Sequence, residues 1–188
     1  MVESEQIIVI DNGSDTIKAG FAGEEHPRAV FSSVVGRPKY DSFMHGTTQK
    51  SEYFGEEAMD KRGILNLSYP ISAGIVESWE DMEKVWHQTF YYELLAEPAE
   101  AVGVILTETP LNPKQNRERM TEIMFDYYQA KNVYIALQGY MSLYATGRTT
   151  GLVCEIGDGV THTTPVHEGY SIHNAINKTE IAGRFVTI

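Results

Sequence analysis

The sequence has a single cysteine, few basic residues and no long apolar run. Because Cys154 has no second cysteine to pair with, the chain cannot form an internal disulfide, as is typical of proteins from reducing compartments. Lysine and arginine number 15 against 26 aspartates and glutamates, and the formal net charge of -11 argues against nonspecific nucleic-acid binding. No stretch is apolar enough to span a bilayer, and the acidic N-terminus lacks the features of a signal peptide. The sequence therefore predicts a cytoplasmic protein whose partners are other proteins, with no membrane or nucleic acid involved.

Short apolar strands alternate with helices along most of the chain. With 42% hydrophobic and 22% charged residues, the composition is that of an ordinary globular protein. Strands are predicted at residues 7–10, 16–22, 28–35, 103–107, 132–137, 152–156 and 160–166. Residues 37–50 are polar, with a proline and a glycine, and are predicted to form an exposed loop. The alternation indicates an α/β layer with a partly parallel sheet.

Three helices are predicted from capping residues and apolar spacing. The first begins after Ser78, a good N-cap, and its buried stripe is Met82, Val85, Trp86, Phe90 and Leu94. The second begins with Asn112 as cap and Pro113 at the first helical position, and its stripe is Met120, Ile123, Met124, Tyr127 and Tyr128. The third covers residues 138–146 and ends at Gly147.

A strand-and-turn pattern occurs twice. The run from Ile8 to Gly13 is an apolar strand, an acid and a glycine turn, and the run from Leu152 to Gly157 has the same order. Each is followed by a strand that contains threonine. Two similar hairpins predict two similar domains that face each other.

The turns of these hairpins have the composition of phosphate-binding loops. Small residues in a tight turn present backbone N–H groups to an anion, as expected for residues 11–14 and 157–160. Asp11 and Glu155 end the two strands and could hold the waters of a Mg²⁺ ion. The alternative is a plain hairpin turn without a ligand, since Asp-Asn-Gly is common in hairpins. The histidines lack metal-ligand spacing, so no zinc site is predicted.

Several longer strings resemble the N-terminal half of actin. They are residues 11–14 with 18–23, 27–31, 35–38, 61–65, 111–114, 142–145, 147–151 and 157–163. Together they cover nearly the whole chain in one order. The resemblance implies the actin, sugar-kinase and chaperone-ATPase architecture, a ribonuclease H-like α/β fold. Residues 1–150 would be the first domain, with an inserted loop-rich subdomain at about 34–70, and residues 151–188 the beginning of the second.

The resemblance also implies a site for ATP or ADP with Mg²⁺. Metal waters would be held by Asp11, Gln138 and Glu155. Phosphates would be held by Gly13, Ser14, Lys18, Gly157, Asp158, Gly159 and Val160. Gln138 with His162 would orient the attacking water, because phosphoryl transfer depends mainly on positioning. The loop at 37–50, with Met44, would contact a neighbouring subunit in a filament.

The sequence departs from the family mainly around phosphate. Asp15 replaces a glycine, which adds negative charge beside a polyphosphate. Glu155 replaces an aspartate, and Ile156 replaces a serine of the second phosphate loop. Ala73 stands where actins have a histidine near the phosphate-sensing loop. Ser42 and Thr48 replace glycines of the inter-subunit loop. The family's chain continues for roughly as long again, and most of the adenosine pocket lies in that part.

Three interpretations follow. The first is a truncated, actin-like structural subunit of the cytoskeleton, with weak or absent ATP binding and a protein partner over its open face. The second is an ATP-binding and ATP-hydrolysing module whose cleft is completed by a second chain or by the rest of the family's sequence. The third is a fragment of a longer actin-like protein.

Overall fold

A computed structural model describes residues 6–39 and 50–187. Its strands are β1 (Ile7–Asn12), β2 (Thr16–Phe21), β3 (Ala29–Ser32), β4 (Val35–Pro38), β5 (Tyr53–Phe54), β6 (Leu65–Ser68), β7 (Ile71–Ser72), β8 (Ile75–Val76), β9 (Gly103–Glu108), β10 (Val133–Leu137), β11 (Gly151–Ile156), β12 (Thr161–His167), β13 (Tyr170–Ser171) and β14 (Asn177–Thr179). The helices are α1 (Gly55–Asp60), α2 (Trp79–Gln88), α3 (Lys114–Glu122), α4 (Gln138–Ala145) and α5 (Gly183–Thr187). In the part of the chain so described, none of the helices is long and apolar enough to cross a membrane.

The main sheet has five strands in the order β10-β9-β1-β2-β3. β1 pairs in parallel with β9, and β9 with β10, whereas β2 and β3 are antiparallel additions. β1 is central, and alternate side chains such as Ile8 and Ile10 are fully buried in the core. Because parallel strands end at the same edge, the ends of β1, β9 and β10 meet where α4 begins.

The first predicted helix is confirmed. Ser78 accepts a hydrogen bond from the backbone N–H of Asp81 at 3.4 Å, as an N-cap does. After α2 the chain continues as a π-helical turn, Thr89–Glu93. The predicted stripe is buried throughout; its members are Met82, Val85, Trp86, Phe90 and Leu94.

The second predicted helix is correct in place but wrong in two details. α3 begins at Lys114, so Pro113 occupies the N-cap position and Asn112 lies outside the helix. Asn112 instead donates to Glu108 Oε2 at 2.9 Å. The chain then forms a π-helical segment, Ile123–Tyr127, whose wider turn rotates later side chains away from helical spacing. As a result Tyr127 is 62% exposed, although Tyr128 is buried as predicted.

The single strand predicted at 28–35 is two strands in two sheets. Ser33 and Val34 form the break: Ser33 N donates to the Asp15 carbonyl at 2.7 Å, and Val34 is buried in a different apolar cluster. β3 therefore stays in the main sheet, while β4 is the centre of a small sheet, β5-β4-β6, with α1 packed nearby. Residues 40–49, with Ser42, Met44 and Thr48 of the predicted inter-subunit loop, lie outside the described residues.

A second sheet contains the repeated hairpin. β11 and β12 pair antiparallel, as β1 and β2 do, and β12 also pairs with β13 and β14. One face of β11 packs against α4, which comes directly from β10. The repeat seen in the sequence is thus a repeat of structure, and α4 joins the two sheets.

Candidate functional site

The turns of the two hairpins lie close together across a cleft of 670 Å³. All the site residues predicted from the sequence line it: Asp11, Gly13, Ser14, Lys18, Gln138, Glu155, Gly157, Asp158, Gly159, Val160 and His162. They come from β1, β2, α4, β11, β12 and the turns between them. The fold therefore gathers into one cleft residues that are as far apart as Asp11 and His162 in sequence.

The first turn requires glycine because its backbone folds back tightly. A Cβ on Gly13 would lie 2.4 Å from the carbonyl oxygen of Thr16, closer than any real contact. Ser14 follows, and its Oγ accepts a hydrogen bond from Gly74 N at 3.0 Å. Gly74 belongs to the turn between β7 and β8, so a third hairpin closes one wall of the cleft.

The two repeated turns come within contact of each other. A Cβ on Gly159 would lie 2.8 Å from Ser14 Oγ and 3.2 Å from Ala73 N. Only a glycine lets the second turn approach the first this closely. Ala73 itself has a φ of 48°, in the left-handed region, and Gly74 has a φ of 75°.

Asp11, at the end of β1, is held in one orientation. Its Oδ1 accepts from Thr107 Oγ1 at 2.6 Å and from Gln138 Nε2 at 3.0 Å. Its Oδ2 lies 3.5 Å from Lys18 Nζ. Since a carboxylate oxygen can accept more than one hydrogen bond, Asp11 retains acceptor capacity towards water in the cleft.

A buried network supports this carboxylate from below. Asn12 donates its backbone N–H to Thr107 Oγ1 at 3.0 Å and its side-chain amide to the Thr107 carbonyl at 3.2 Å. The indole N–H of Trp86, a fully buried residue of α2, donates to Asn12 Oδ1 at 3.0 Å. The turn after β1 is therefore fixed to both β9 and α2.

The second turn is closed by its own backbone and by α5. Gly157 N donates to the Val160 carbonyl at 3.0 Å, and Arg184 N donates to the Asp158 carbonyl at 2.9 Å. The Arg184 guanidinium lies 2.8 Å from Asp158 Oδ2. Asp158 thus has a cation beside it on the side of α5.

Glu155 is bonded to protein groups on both of its oxygens. Ser142 Oγ donates to Oε1 at 2.7 Å, and His162 Nε2 lies 2.8 Å from Oε2. Gln138 and His162, both predicted to orient water, thus bond to different carboxylates, Asp11 and Glu155. On the next strand Lys178 pairs with His162, and burial lowers the pKa of its amine.

Sequence reasoning missed the threonine and serine partners of these acids. Thr107 ends β9 and Ser142 lies in α4, and neither belongs to a recognisable local motif. Thr109 was also missed; its Oγ1 donates to the Gly74 carbonyl at 3.1 Å. The available signal was topological, because residues at the carboxyl ends of neighbouring parallel strands meet at one edge.

The charges and shape of the cleft fit a hydrated cation and phosphate. Its lining has four carboxylates, those of Asp11, Asp15, Glu155 and Asp158, and one ammonium group, that of Lys18. Among the residues described, no cluster of three or more His, Cys, Asp or Glu could ligate a metal directly. A Mg²⁺ ion that keeps most of its waters is compatible with such a lining. Gly13 and Gly159 of the two turns line the same cleft, and tight turns of small residues can present backbone N–H groups to phosphate oxygens.

A larger groove of 950 Å³ lies elsewhere, beside α1 and α2. Six glutamates and two lysines line it, and it contains none of the predicted site residues. Gly55 lines this groove, but it begins α1, and neither of the repeated hairpin turns reaches the groove. The smaller cleft is therefore the better candidate for a phosphate site.

Comparison of the sequence with protein-family models identifies the family. The model described as Actin matches residues 2–188, which is almost the whole chain. The mixed sheet, the repeated hairpin and the cleft between the two turns fit the fold of that family. The chain therefore belongs to the actin family and has the α/β architecture shared by actin, the sugar kinases and the chaperone ATPases.

Proposed function

We propose that the chain is an actin-like cytoskeletal subunit that acts through protein contacts in the cytoplasm and binds Mg-ATP or Mg-ADP weakly. The observation that carries the proposal is the assembled cleft with its excess of carboxylates. Ser14 and Gly159, one from each turn, lie against each other in its lining, while four acids and only one lysine line it. The two small-residue turns favour phosphate binding, whereas the excess negative charge of the lining opposes it.

Different residues of the cleft would contact the phosphates and the hydrated Mg²⁺ ion of the nucleotide. Backbone N–H groups of residues 13–14 and 158–160 would hold phosphate oxygens, with Lys18 as the nearby cation. Gly157 was also predicted to hold phosphate, but its N–H donates to the Val160 carbonyl instead. The fixed Asp11 carboxylate would accept hydrogen bonds from the waters of Mg²⁺. When bound, the metal supplies positive charge that offsets the charge of the phosphates.

Asp15 is the residue that weakens binding. Its side chain is exposed at the cleft, where it accepts a hydrogen bond from Thr16 Oγ1 at 2.9 Å. A carboxylate a few ångströms from a polyphosphate repels it even through water. Ile156, also in the lining, provides no hydroxyl donor to offset this.

Calorimetric titration of Mg-ATP into the native chain and three variants tests the proposal. Asp15→Asn should tighten binding by roughly tenfold, because it removes the charge and keeps the size. Asp15→Gly should gain at least as much. Asp60→Asn is the matched control: it removes an exposed aspartate at the end of α1 and should leave the affinity unchanged.

The outcomes separate cleanly. Equal affinities for Asp15→Asn and Asp60→Asn would show that Asp15 is not beside the phosphates. A native chain and Asp15→Gly variant that both fail to bind Mg-ATP would overturn the nucleotide part of the proposal.

A second candidate function is ATP hydrolysis. Gln138 favours it, since its amide lies 3.0 Å from Asp11 at the start of α4 and lines the cleft. A Gln138→Ala variant that binds Mg-ATP like the native chain but turns it over more slowly would support this function; equal turnover would count against it.

A further inference from the structure

We propose that the larger groove, beside α1 and α2, is a docking site for an arginine-rich segment of a partner protein. Its volume is 950 Å³, and it shares no lining residue with the cleft between the two hairpin turns. Two tyrosines, Tyr92 and Tyr127, line it together with six glutamates. This docking site would supply one of the protein contacts of the proposed function, and it does not depend on nucleotide binding.

Both tyrosines belong to π-helical turns, one after α2 and one after α3. Leu94 N donates to the Thr89 carbonyl at 2.9 Å, which is the i to i+5 spacing of a π-helix. Tyr128 N donates to the Ile123 carbonyl at 3.1 Å with the same spacing. Such turns are rare and occur frequently at functional sites. Because two of them place a tyrosine on the same groove, the groove has the features of a binding surface.

The tyrosine rings are held by their neighbours and remain exposed. Tyr92 is 65% exposed and Tyr127 is 62% exposed. The ring of Tyr127 packs edge-on against buried Tyr128, with centroids 4.8 Å apart, and the ring of Tyr92 lies 6.0 Å from that of His87. A tyrosine side chain loses little conformational entropy when a ligand stacks on it. The face of such a ring attracts a cation, most often a guanidinium.

The lysines of the groove are already paired. Lys50 Nζ lies 2.7 Å from Glu57 Oε2. Lys84 Nζ lies 2.6 Å from Glu52 Oε1 and 2.9 Å from Glu80 Oε1. These two cations therefore serve three of the six glutamates, and the lining keeps an excess of negative charge.

Two of the remaining glutamates form no salt bridge among the described residues. Ser32 Oγ donates to Glu56 Oε1 at 2.9 Å, and Gln88 Nε2 donates to Glu93 Oε1 at 3.1 Å. Both glutamates are exposed, and each carboxylate retains acceptor capacity. Arginine fits this lining better than lysine, because its guanidinium stacks on aromatic rings and pairs with a carboxylate through two parallel hydrogen bonds.

Fluorescence anisotropy with a labelled, end-blocked hexa-arginine peptide tests the proposal on the full chain, without nucleotide and at near-physiological ionic strength. Tyr92→Leu/Tyr127→Leu keeps apolar bulk and every charge. It should weaken binding about tenfold, because each lost cation–π contact accounts for about threefold. Tyr92→Phe/Tyr127→Phe keeps the rings and should bind like the native chain.

Tyr134→Leu is the matched control, since Tyr134 is 57% exposed on β10 and lies outside the groove. Its affinity for the peptide should equal that of the native chain. The proposal is wrong if the leucine double variant binds like the native chain, or if the phenylalanine double variant loses as much affinity as the leucine one.

A second comparison separates the groove from the net charge of the chain. Glu56→Gln/Glu93→Gln should weaken binding of hexa-arginine about fivefold, because it removes two carboxylates from the lining. Glu100→Gln/Glu180→Gln removes the same charge from exposed positions outside the groove and should leave binding nearly unchanged. Equal losses in the two double variants would show that overall negative charge holds the peptide, and would overturn the proposal.

Hexa-lysine of the same charge tests the contribution of the rings. It should bind the native chain several-fold more weakly than hexa-arginine, and this difference should disappear in Tyr92→Leu/Tyr127→Leu. Equal binding of the two peptides by the native chain would also overturn the proposal. Mg-ATP binding is measured separately by calorimetry, so failure of the docking site and failure of the nucleotide cleft are distinguishable.

Discussion

At the scale of single residues, Gly13 is the position where the least change should have the largest effect. In Gly13→Ala the new Cβ would meet the Thr16 carbonyl oxygen at 2.4 Å, and a backbone atom in a tight turn cannot move aside cheaply. Overpacking of this kind costs about 1–3 kcal/mol. Urea denaturation should therefore show a loss of that size in the free energy of unfolding.

Gly63→Ala is the matched control for that experiment. No atom lies within 4 Å of a Cβ at Gly63, so this variant should retain native stability. If the two variants unfold at the same urea concentration, the turn after β1 is looser than its geometry indicates and is a poor phosphate cradle.

Residues differ in how far their roles can be predicted from sequence. Gly13 and Asp11 were predictable because a strand that ends in an acid and a glycine turn is a local pattern. The partner of Asp11 was not, because Thr107 is 96 positions away and reaches it only through the parallel pairing of β1 and β9. The same holds for Ser142 and Glu155, whose contact depends on how α4 packs against β11.

At the scale of elements, Asp81 joins the small sheet to α2. Its carboxylate accepts hydrogen bonds from Ser68 of β6 and from the guanidinium of Arg37 in β4, although its side chain is only 5% exposed. Burial by itself raises the pKa of Asp81, but the hydrogen bonds from Arg37 and Ser68 outweigh it, so the folded-state pKa lies below 3.8. The ionised form therefore stabilises the fold.

That shift predicts a dependence of stability on pH. Because the folded pKa of Asp81 is lowered, its contribution is complete above about pH 3.8 and is lost as the pH falls through the folded value. At pH 6, urea denaturation should show that the free energy of unfolding of Asp81→Asn is about 1–3 kcal/mol lower than that of the native chain. It should then lose less stability than the native chain between pH 5 and pH 3.

Glu80→Gln provides the comparison, since Glu80 is the neighbouring acid of α2 and is 78% exposed. Its stability should stay close to the native value at pH 6. Parallel acid curves for Asp81→Asn and the native chain would show that another group dominates acid unfolding.

Helices and strands were predicted well where the spacing of apolar residues alone determines the structure, and poorly where a local change in the backbone alters that spacing or interrupts the strand. The stripe predicted for the first helix is buried as far as Leu94, although its last two members lie in or just after the π-helical turn that follows α2. Spacing failed at Tyr127, because a π-helical segment changes the number of residues per turn. The prediction of one strand also failed at 28–35, where Ser33 turns the chain from one sheet to another and Val34 and Val35 then resume a strand-like, β-branched sequence.

At the scale of the whole molecule, the outer face of β11 is the clearest surface for a protein contact. Leu152 is 71% exposed and Ile156 is 74% exposed, with Cys154 exposed between them, so alternate side chains form an apolar stripe. Within the described residues β11 pairs on one side only, with β12. Apolar patches of this kind mark protein-interaction sites or cause self-association.

Leu152→Lys should therefore reduce self-association of the chain. A charge in the middle of an apolar contact has to be desolvated without a partner. The free-energy cost of this desolvation is far larger than the free energy lost with the buried apolar area. Sedimentation velocity over a range of protein concentrations should show the native chain associating, and the variant associating only at concentrations at least tenfold higher. Ile64→Lys is the control, because Ile64 is also exposed, at 59%, but lies in the loop before β6. If Ile64→Lys suppresses association as strongly as Leu152→Lys, general charge repulsion explains the effect, and the stripe on β11 is not the surface through which this actin-family chain meets its partners.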